Sequence, residues 1–164
     1  MSNNNIQIRE IQAGDNTQIE AVIRACFPEF NIPLEGTAYA DPETKRMFES
    51  YQNDNEAYFV IDDNGTLLGG GGVKGLTDFE TKEVCEIQKM YFSPKVRGQG
   101  YGKALFQKCI ETAKALGYKK CYLESAPQLK AAIHIYEQFG FKHLDAPLGN
   151  TGHTSCSVWM IKDL

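Results

Sequence analysis

The sequence predicts an α+β fold around a mixed sheet, and three observations carry that expectation. Short runs such as Ile6-Gln7-Ile8-Arg9 alternate apolar and polar residues. Apolar residues recur at helical spacing between Ile19 and Cys26 and between Leu105 and Ala113. The two kinds of segment follow one another in the order βααβββαβαββ. At 164 residues, with 42% hydrophobic and 23% charged side chains, the chain suits one domain, 1–164, with a core that needs no covalent staples.

Each element has a local reason. After the first strand, Asp15 is a plausible N-cap for a helix with Ile19, Val22, Ile23 and Cys26 on one face. Phe27-Pro28-Glu29-Phe30-Asn31-Ile32-Pro33 breaks that pattern and reads as a shaped loop with two exposed phenylalanines. Asp41-Pro42 reads as N-cap and first turn of a second helix ending near Tyr51. Ala57–Ile61 and Thr66–Lys74 form a hairpin across Asp62-Asp63-Asn64-Gly65. Four consecutive glycines, Gly69 to Gly72, weaken the second of these strands, so they imply a bulge or a group lying close to the backbone. Thr77 to Glu83 is a polar turn, and Val84 to Phe92 is a strand closed by Ser93-Pro94. A helix from Gly100 to Leu116 ends at Gly117, and Cys121-Tyr122-Leu123 is a strand. A helix from Leu129 to Phe139 ends at Gly140, and two strands, Phe141–Leu144 and Ser155–Ile161, finish the sheet.

The formal net charge is −4, yet eight basic residues against the single acidic Glu111 lie between Lys89 and Lys120. A basic island in an acidic chain suits a local anionic ligand better than a nucleic-acid surface, which needs a broader positive field. The five cysteines form no C-x-x-C pair, which speaks against both a zinc knuckle and a disulfide framework. Met1-Ser2-Asn3-Asn4-Asn5 has no secretory character, and no apolar run approaches the roughly 20 residues of a membrane span. A cytoplasmic protein is expected, with no metal.

The chemistry concentrates where a strand and a short Pro-containing turn lead through Arg97-Gly98-Gln99-Gly100-Tyr101-Gly102 into a helix. Glycines let the backbone pass close to a phosphate, and the open N–H groups and dipole at a helix start attract an anion. The P-loop G-x-x-x-x-G-K-[ST] is absent. Glycines at 98, 100 and 102 do not fit the dinucleotide G-x-G-x-x-G, and Lys119 and Lys120 stand where that site wants an acid.

Arg97-x-x-Gly100-x-Gly102 resembles the [QR]-x-x-G-x-[GA] motif of the GNAT (GCN5-related N-acetyltransferase) superfamily. Ala132-Ile133-His134-Ile135-Tyr136-Glu137-Gln138-Phe139-Gly140-Phe141 is similar to that family's A-x-x-x-Y-x-x-x-G-F segment, one strand further on. The resemblance covers Glu86 to Phe141 and implies a GNAT-type acyl-CoA N-acyltransferase fold: a central mixed, mostly antiparallel sheet flanked by helices on both faces. It implies an enzyme that moves an acetyl group from acetyl-CoA, as co-substrate, to a primary amine of a small molecule or peptide. Its partners would be acetyl-CoA and the amine acceptor, with no nucleic acid and no membrane, and a homodimer is open. The rival is an acyl-CoA-binding regulatory module without turnover, a reading fed by Leu129, which stands where the family often has an Asn.

The resemblance also distributes roles. Met90, Tyr91 and Phe92 would pair with pantetheine, the Met90 amide polarising the thioester carbonyl. The amides from Val96 through Arg97, Gly98, Gln99, Gly100, Tyr101 and Gly102 to Lys103 would hold the diphosphate. Tyr136 matches the family's general-acid tyrosine and Glu86 a catalytic glutamate of its protein-acetylating branch. His153, in the loop Leu148-Gly149-Asn150-Thr151-Gly152-His153, titrates in the useful range and is a candidate acceptor contact or base. The segment from Cys26 to Tyr39 would wall the acceptor pocket, and Glu29, Glu35 and Glu86 could attract a cationic amine.

Overall fold

The computed structural model describes residues 5–76, 82–149, 151–152 and 154–164. Seven strands form one sheet: β1 (Ile6–Glu10), β2 (Ala57–Asp63), β3 (Thr66–Gly75), β4 (Val84–Phe92), β5 (Lys120–Ser125), β6 (Lys142–His143) and β7 (Val158–Asp163). Their spatial order is β1-β2-β3-β4-β5-β7-β6, and only β4 and β5 run parallel. The helices are α1 (Asn16–Glu29), α2 (Tyr101–Ala115) and α3 (Lys130–Gln138). Among the described residues, no helix is long and apolar enough to cross a membrane.

Alternation along the strands sends side chains to two cores. Ile19, Ile23 and Phe27 of α1 pack with Tyr58 and Val60 of β2 on one face. Leu105, Phe106, Cys109, Ile110 and Ala113 of α2 pack with Tyr136 of α3 and with Phe59 and Ile61 of β2 on the other. The mixed, mostly antiparallel sheet with helices on both faces is the architecture the sequence predicts.

Two local expectations are corrected. The helix expected from Asp41 to Tyr51 is a pair of separate 3-10 turns, Pro42–Lys45 and Glu49–Tyr51. The Asp41 cap is real, since its side chain accepts from the Glu43 amide at 2.9 Å, but the chain leaves helical geometry at Arg46, with φ −136° and ψ 47°. The loop expected from Phe27 also starts later, because α1 continues through Pro28 to Glu29. Phe27 is buried against Tyr39 and Tyr91 rather than exposed, and Phe30 is half-buried beneath the Arg97 guanidinium.

Both features implied by the glycine run are present. The β3–β4 register steps from Gly70↔Tyr91 to Gly72↔Gln88, which inserts one extra residue into β4. Lys89, at that bulge, has φ +50°. The insertion reverses which face each side chain meets: Cys85 and Ile87 before it, and Met90 and Phe92 after it, all face the α2 core. A side chain on the glycines would also collide with its neighbours. A Cβ on Gly72 would lie 2.5 Å from the Tyr58 ring, one on Gly70 2.6 Å from the Tyr58 hydroxyl, and one on Gly69 2.7 Å from Phe92.

Candidate active site

The parallel pairing of β4 with β5 spans only Val84↔Lys120, Cys85↔Cys121 and Glu86↔Tyr122. Beyond Glu86 the two strands separate, and the half of β4 that carries Met90, Tyr91 and Phe92 has β3 as its one ladder partner. A cavity of about 40 Å³ opens in the gap, enough for a water-sized group. Its lining includes Lys89, Met90, Tyr91, Glu124, Tyr136 and Cys156. A wider groove of about 410 Å³, lined by Arg24, Leu34, Tyr39, Asp41 and Arg46 among others, involves no residue of β4 or β5.

One end of the gap is made of backbone. Ser93 and Pro94 start a short 3-10 turn, and Gly98 and Gly100 follow with φ +75° and +86°, values that disfavour any residue with a Cβ. No side chain caps the start of α2, whose first backbone bond runs from the Ala104 amide to the Gly100 carbonyl at 3.1 Å. The amides of Tyr101, Gly102 and Lys103 precede that bond and are left open, with the positive end of the helix dipole behind them. A Cβ on Gly102 would sit 3.5 Å from the Phe92 ring, an ordinary contact, so packing within the protein does not require glycine there. Open amides, two positive-φ glycines and a bare Gly102 fit a bound diphosphate.

The Arg97 side chain is engaged elsewhere. Its Nε and Nη2 donate to the Phe92 carbonyl at 3.2 and 2.6 Å, and its guanidinium forms a bidentate ion pair with Glu29 at the end of α1. Cys26 Sγ donates to the same carbonyl at 3.4 Å. Arg97 thus ties α1 to the end of β4, and only its backbone belongs to the glycine loop.

The other end of the gap is made of side chains. Glu86 is buried on β4 and accepts a short hydrogen bond from Gln88, whose Oε1 accepts from Tyr51 at 2.8 Å. Glu124, on β5, accepts from the Tyr122 hydroxyl at 2.7 Å and from Thr151. Glu124 lines the cavity, while Glu86 does not. Tyr136 is 8% exposed and packs on Phe106, with ring centroids 4.8 Å apart. Burial, and after it the proximity of Cys109, pushes the Tyr136 hydroxyl well above the usual range, so it keeps its proton at every physiological pH. Burial, followed by the charges of Glu124 and Glu86, pushes the Cys156 thiol up to about 12. The Lys89 ammonium, almost fully buried, pairs with Asp41 at 3.1 Å and with Glu43 at 3.2 Å. His153 lies outside the described residues.

The model of the acetyltransferase (GNAT) family matches residues 18–141, which spans the glycine loop, both strands of the gap and Tyr136. The chain belongs to the GNAT family. It is 40% identical over 158 residues to the uncharacterized N-acetyltransferase YjgM of Escherichia coli (strain K12), a match covering 96% of this chain and 94% of the relative. Among solved GNAT folds, a GNAT-family acetyltransferase of Staphylococcus aureus Mu50 superposes with a TM-score of 0.84 at 20% identity, covering 96% of this chain and 98% of the other. YncA of Salmonella typhimurium, solved with its cofactor acetyl-CoA, superposes with a TM-score of 0.76 at 17% identity, covering 97% and 94%. This GNAT protein is therefore an acyltransferase, and its fold agrees with that expected from the two sequence motifs.

The gap brings together some of the residues the motifs single out: Met90, Tyr91 and Tyr136 line one cavity, and Gly102 lies against the Phe92 ring. Sequence reasoning did not single out Glu124 or Cys156, and it counted Lys89 only as part of the basic island, while all three line the cavity. Glu124 had one usable signal, an acid directly after the apolar run Cys121-Tyr122-Leu123 in a strand.

Proposed function

We propose that the protein transfers an acetyl group from acetyl-CoA to a primary amine that attacks the thioester directly. The observation that carries this reading is the gap between β4 and β5, bounded by open amides at one end and carboxylates at the other. The amides of Gly98 through Lys103 would hold the diphosphate, and the free edge of β4 at Met90–Phe92 would pair with the pantetheine arm. The Met90 amide would donate to the thioester oxygen, where negative charge grows as the amine attacks, and a fixed donor there acts mainly on the transition state.

An alkyl amine, with a pKa near 10.4, arrives protonated and must lose a proton before it can attack. Glu124 is the group we assign to receive it, directly or through a water, because it is the acidic residue lining the cavity. Glu86 stands behind Gln88 and supplies negative charge that favours a cationic acceptor. The narrow cavity suits a slim, unbranched amino group. Tyr136 also lines the cavity, and its hydroxyl would serve the leaving side. A thiol ionises near 8.5, far below the raised Tyr136, so full proton transfer from the phenol runs uphill. We assign Tyr136 as a hydrogen-bond donor to the departing sulfur, the proton coming finally from solvent. His153 remains a candidate acceptor contact.

The test is thiol release measured over a panel of primary amines, beside calorimetric titration with acetyl-CoA. Amine-dependent release together with saturable binding is expected. Tight binding with no amine-dependent release from any member would overturn the enzyme reading in favour of a regulatory module.

A further inference from the structure

We infer that Tyr58 is a positioning residue, which reaches across β3 to fix the peptide unit whose N–H polarises the thioester. The inference rests on the proposed role of the Met90 amide. The Tyr58 hydroxyl donates to the Lys89 carbonyl at 2.8 Å, a buried bond between strands that are not neighbours in the sheet. That carbonyl and the Met90 N–H belong to one planar peptide group. In a trans peptide the two point in opposite directions, so holding the carbonyl fixes the line along which the N–H points.

Three further observations support a built device. The peptide lies at the bulge, where the β3 register passes from Gly70↔Tyr91 to Gly72↔Gln88 and offers Lys89 and Met90 no opposing Cα partner. The ladder that orients other peptides of β4 is therefore interrupted there, and Tyr58 supplies a replacement hold. The path of its ring is cleared by Gly70 and Gly72, since a Cβ on either would lie within 2.7 Å of Tyr58 atoms. Residue 89 is also gripped at its other end, where its buried ammonium pairs with Asp41 and Glu43. Burial keeps the Tyr58 hydroxyl protonated far above its ordinary range, so the donor persists at any working pH. A hydrogen bond accepted by a peptide carbonyl also polarises the N–H of the same unit and strengthens it as a donor.

The decisive variant is Tyr58→Phe, which keeps the ring in its glycine-lined channel and removes only the donor. The first readout is the infrared C=O stretch of bound, carbonyl-labelled acetyl-CoA, measured as a difference from the same ester in solution. The wild-type protein should lower that frequency, and Tyr58→Phe should return it most of the way to the solution value while acetyl-CoA affinity stays within about twofold. In steady state kcat should fall about three- to tenfold with the acetyl-CoA KM unchanged, the range of one buried neutral hydrogen bond. Lys89→Met, which loosens the other hold, should move the stretch in the same direction. A wild-type frequency in a folded Tyr58→Phe protein would overturn the inference and leave the proposed function standing. Bound ester with no lowered stretch in the wild type would instead overturn the role of the Met90 amide itself.

Discussion

The two ends of the gap between β4 and β5 are built from different materials. At the α2 end the functional groups are backbone amides, fixed by two glycines with positive φ and by the start of a helix, with no side-chain cap. At the Glu124 end they are side chains drawn from β4, β5, the 3-10 turns and the segment before β7, held by hydrogen bonds and ion pairs with one another. One end is electropositive through its amides, with the basic Lys95, Arg97 and Lys103 beside them in the chain, and the other carries several carboxylates. A thioester with an anionic tail and a cationic amine can enter such a gap from opposite ends, each drawn to the field of opposite sign. Substitutions should therefore separate cleanly, changing binding of one substrate or chemistry with the other.

The largest expected effect is at the carboxylate end. Glu124→Gln keeps the shape and one of its two accepting oxygens but removes the base, and kcat should fall by about 10² to 10⁴, the usual weight of general base catalysis. The acetyl-CoA KM should stay unchanged. Glu86→Gln should cost clearly less, on the order of tenfold. If the two variants lose activity equally, or Glu86→Gln loses more, the assignment of the base moves to Glu86.

Gly102→Asp tests the amide end by opposing stability to binding. A carboxylate in the first turn of α2 complements the helix dipole and should leave the melting temperature equal or slightly higher. The same charge about 5 Å from a diphosphate costs roughly 3 kcal/mol at an effective dielectric of 20, so acetyl-CoA affinity should drop about 100-fold. Calorimetric titration and thermal unfolding on one preparation decide it. Unchanged affinity would mean that the open amides hold nothing.

Arg97 should matter less than its place in the motif suggests. Its guanidinium already pairs with Glu29 and the Phe92 carbonyl. Arg97→Ala should raise the acetyl-CoA KM a few-fold by loosening the end of β4, with kcat little changed, and Glu29→Gln should reproduce part of that shift. A tenfold larger effect of Arg97→Ala than of Glu29→Gln would show that the side chain reaches the phosphates after all.

The same contrast in materials decided what could be read from the sequence. Backbone sites are encoded locally: Pro94, Gly98 and Gly100 dictate the loop wherever the rest of the chain goes, so the amide end was legible. The carboxylate end is assembled from residues far apart in the chain, 27 positions for Thr151 and Glu124 and 37 for Tyr51 and Gln88, and no local spacing announces it. Tyr58 shows the limit most sharply. Within Ala57-Tyr58-Phe59-Val60-Ile61 it reads as one more core aromatic, and its reach to Lys89 depends on the β2–β3 register and on a bulge 31 residues on. The glycine run did signal that something lies against β3, without saying what. The Asp41-Pro42 cap was legible and misleading, because a cap fixes where a turn starts while the apolar pattern beyond it fixes how far it runs.

Cys156 offers the smallest but most direct reading of the carboxylate end, as a reporter rather than a participant. An ordinary thiol near 8.5 is about a quarter ionised at pH 8, whereas one pushed up to about 12 is ionised to roughly one part in 10⁴. Alkylation by iodoacetamide should therefore be slow at pH 8 and its rate should keep climbing with pH toward 12. Burial is the larger cause and the charges of Glu124 and Glu86 come next. Removing a negative neighbour favours the thiolate, so Glu124→Gln should lower the apparent pKa and quicken labelling at pH 8, while Gly102→Asp should leave it alone. Cys156→Ala should change kcat less than about threefold. Labelling of Cys156 that ignores Glu124 would mean the carboxylate field does not reach the cavity, and the attraction of a cationic acceptor would have to come from elsewhere.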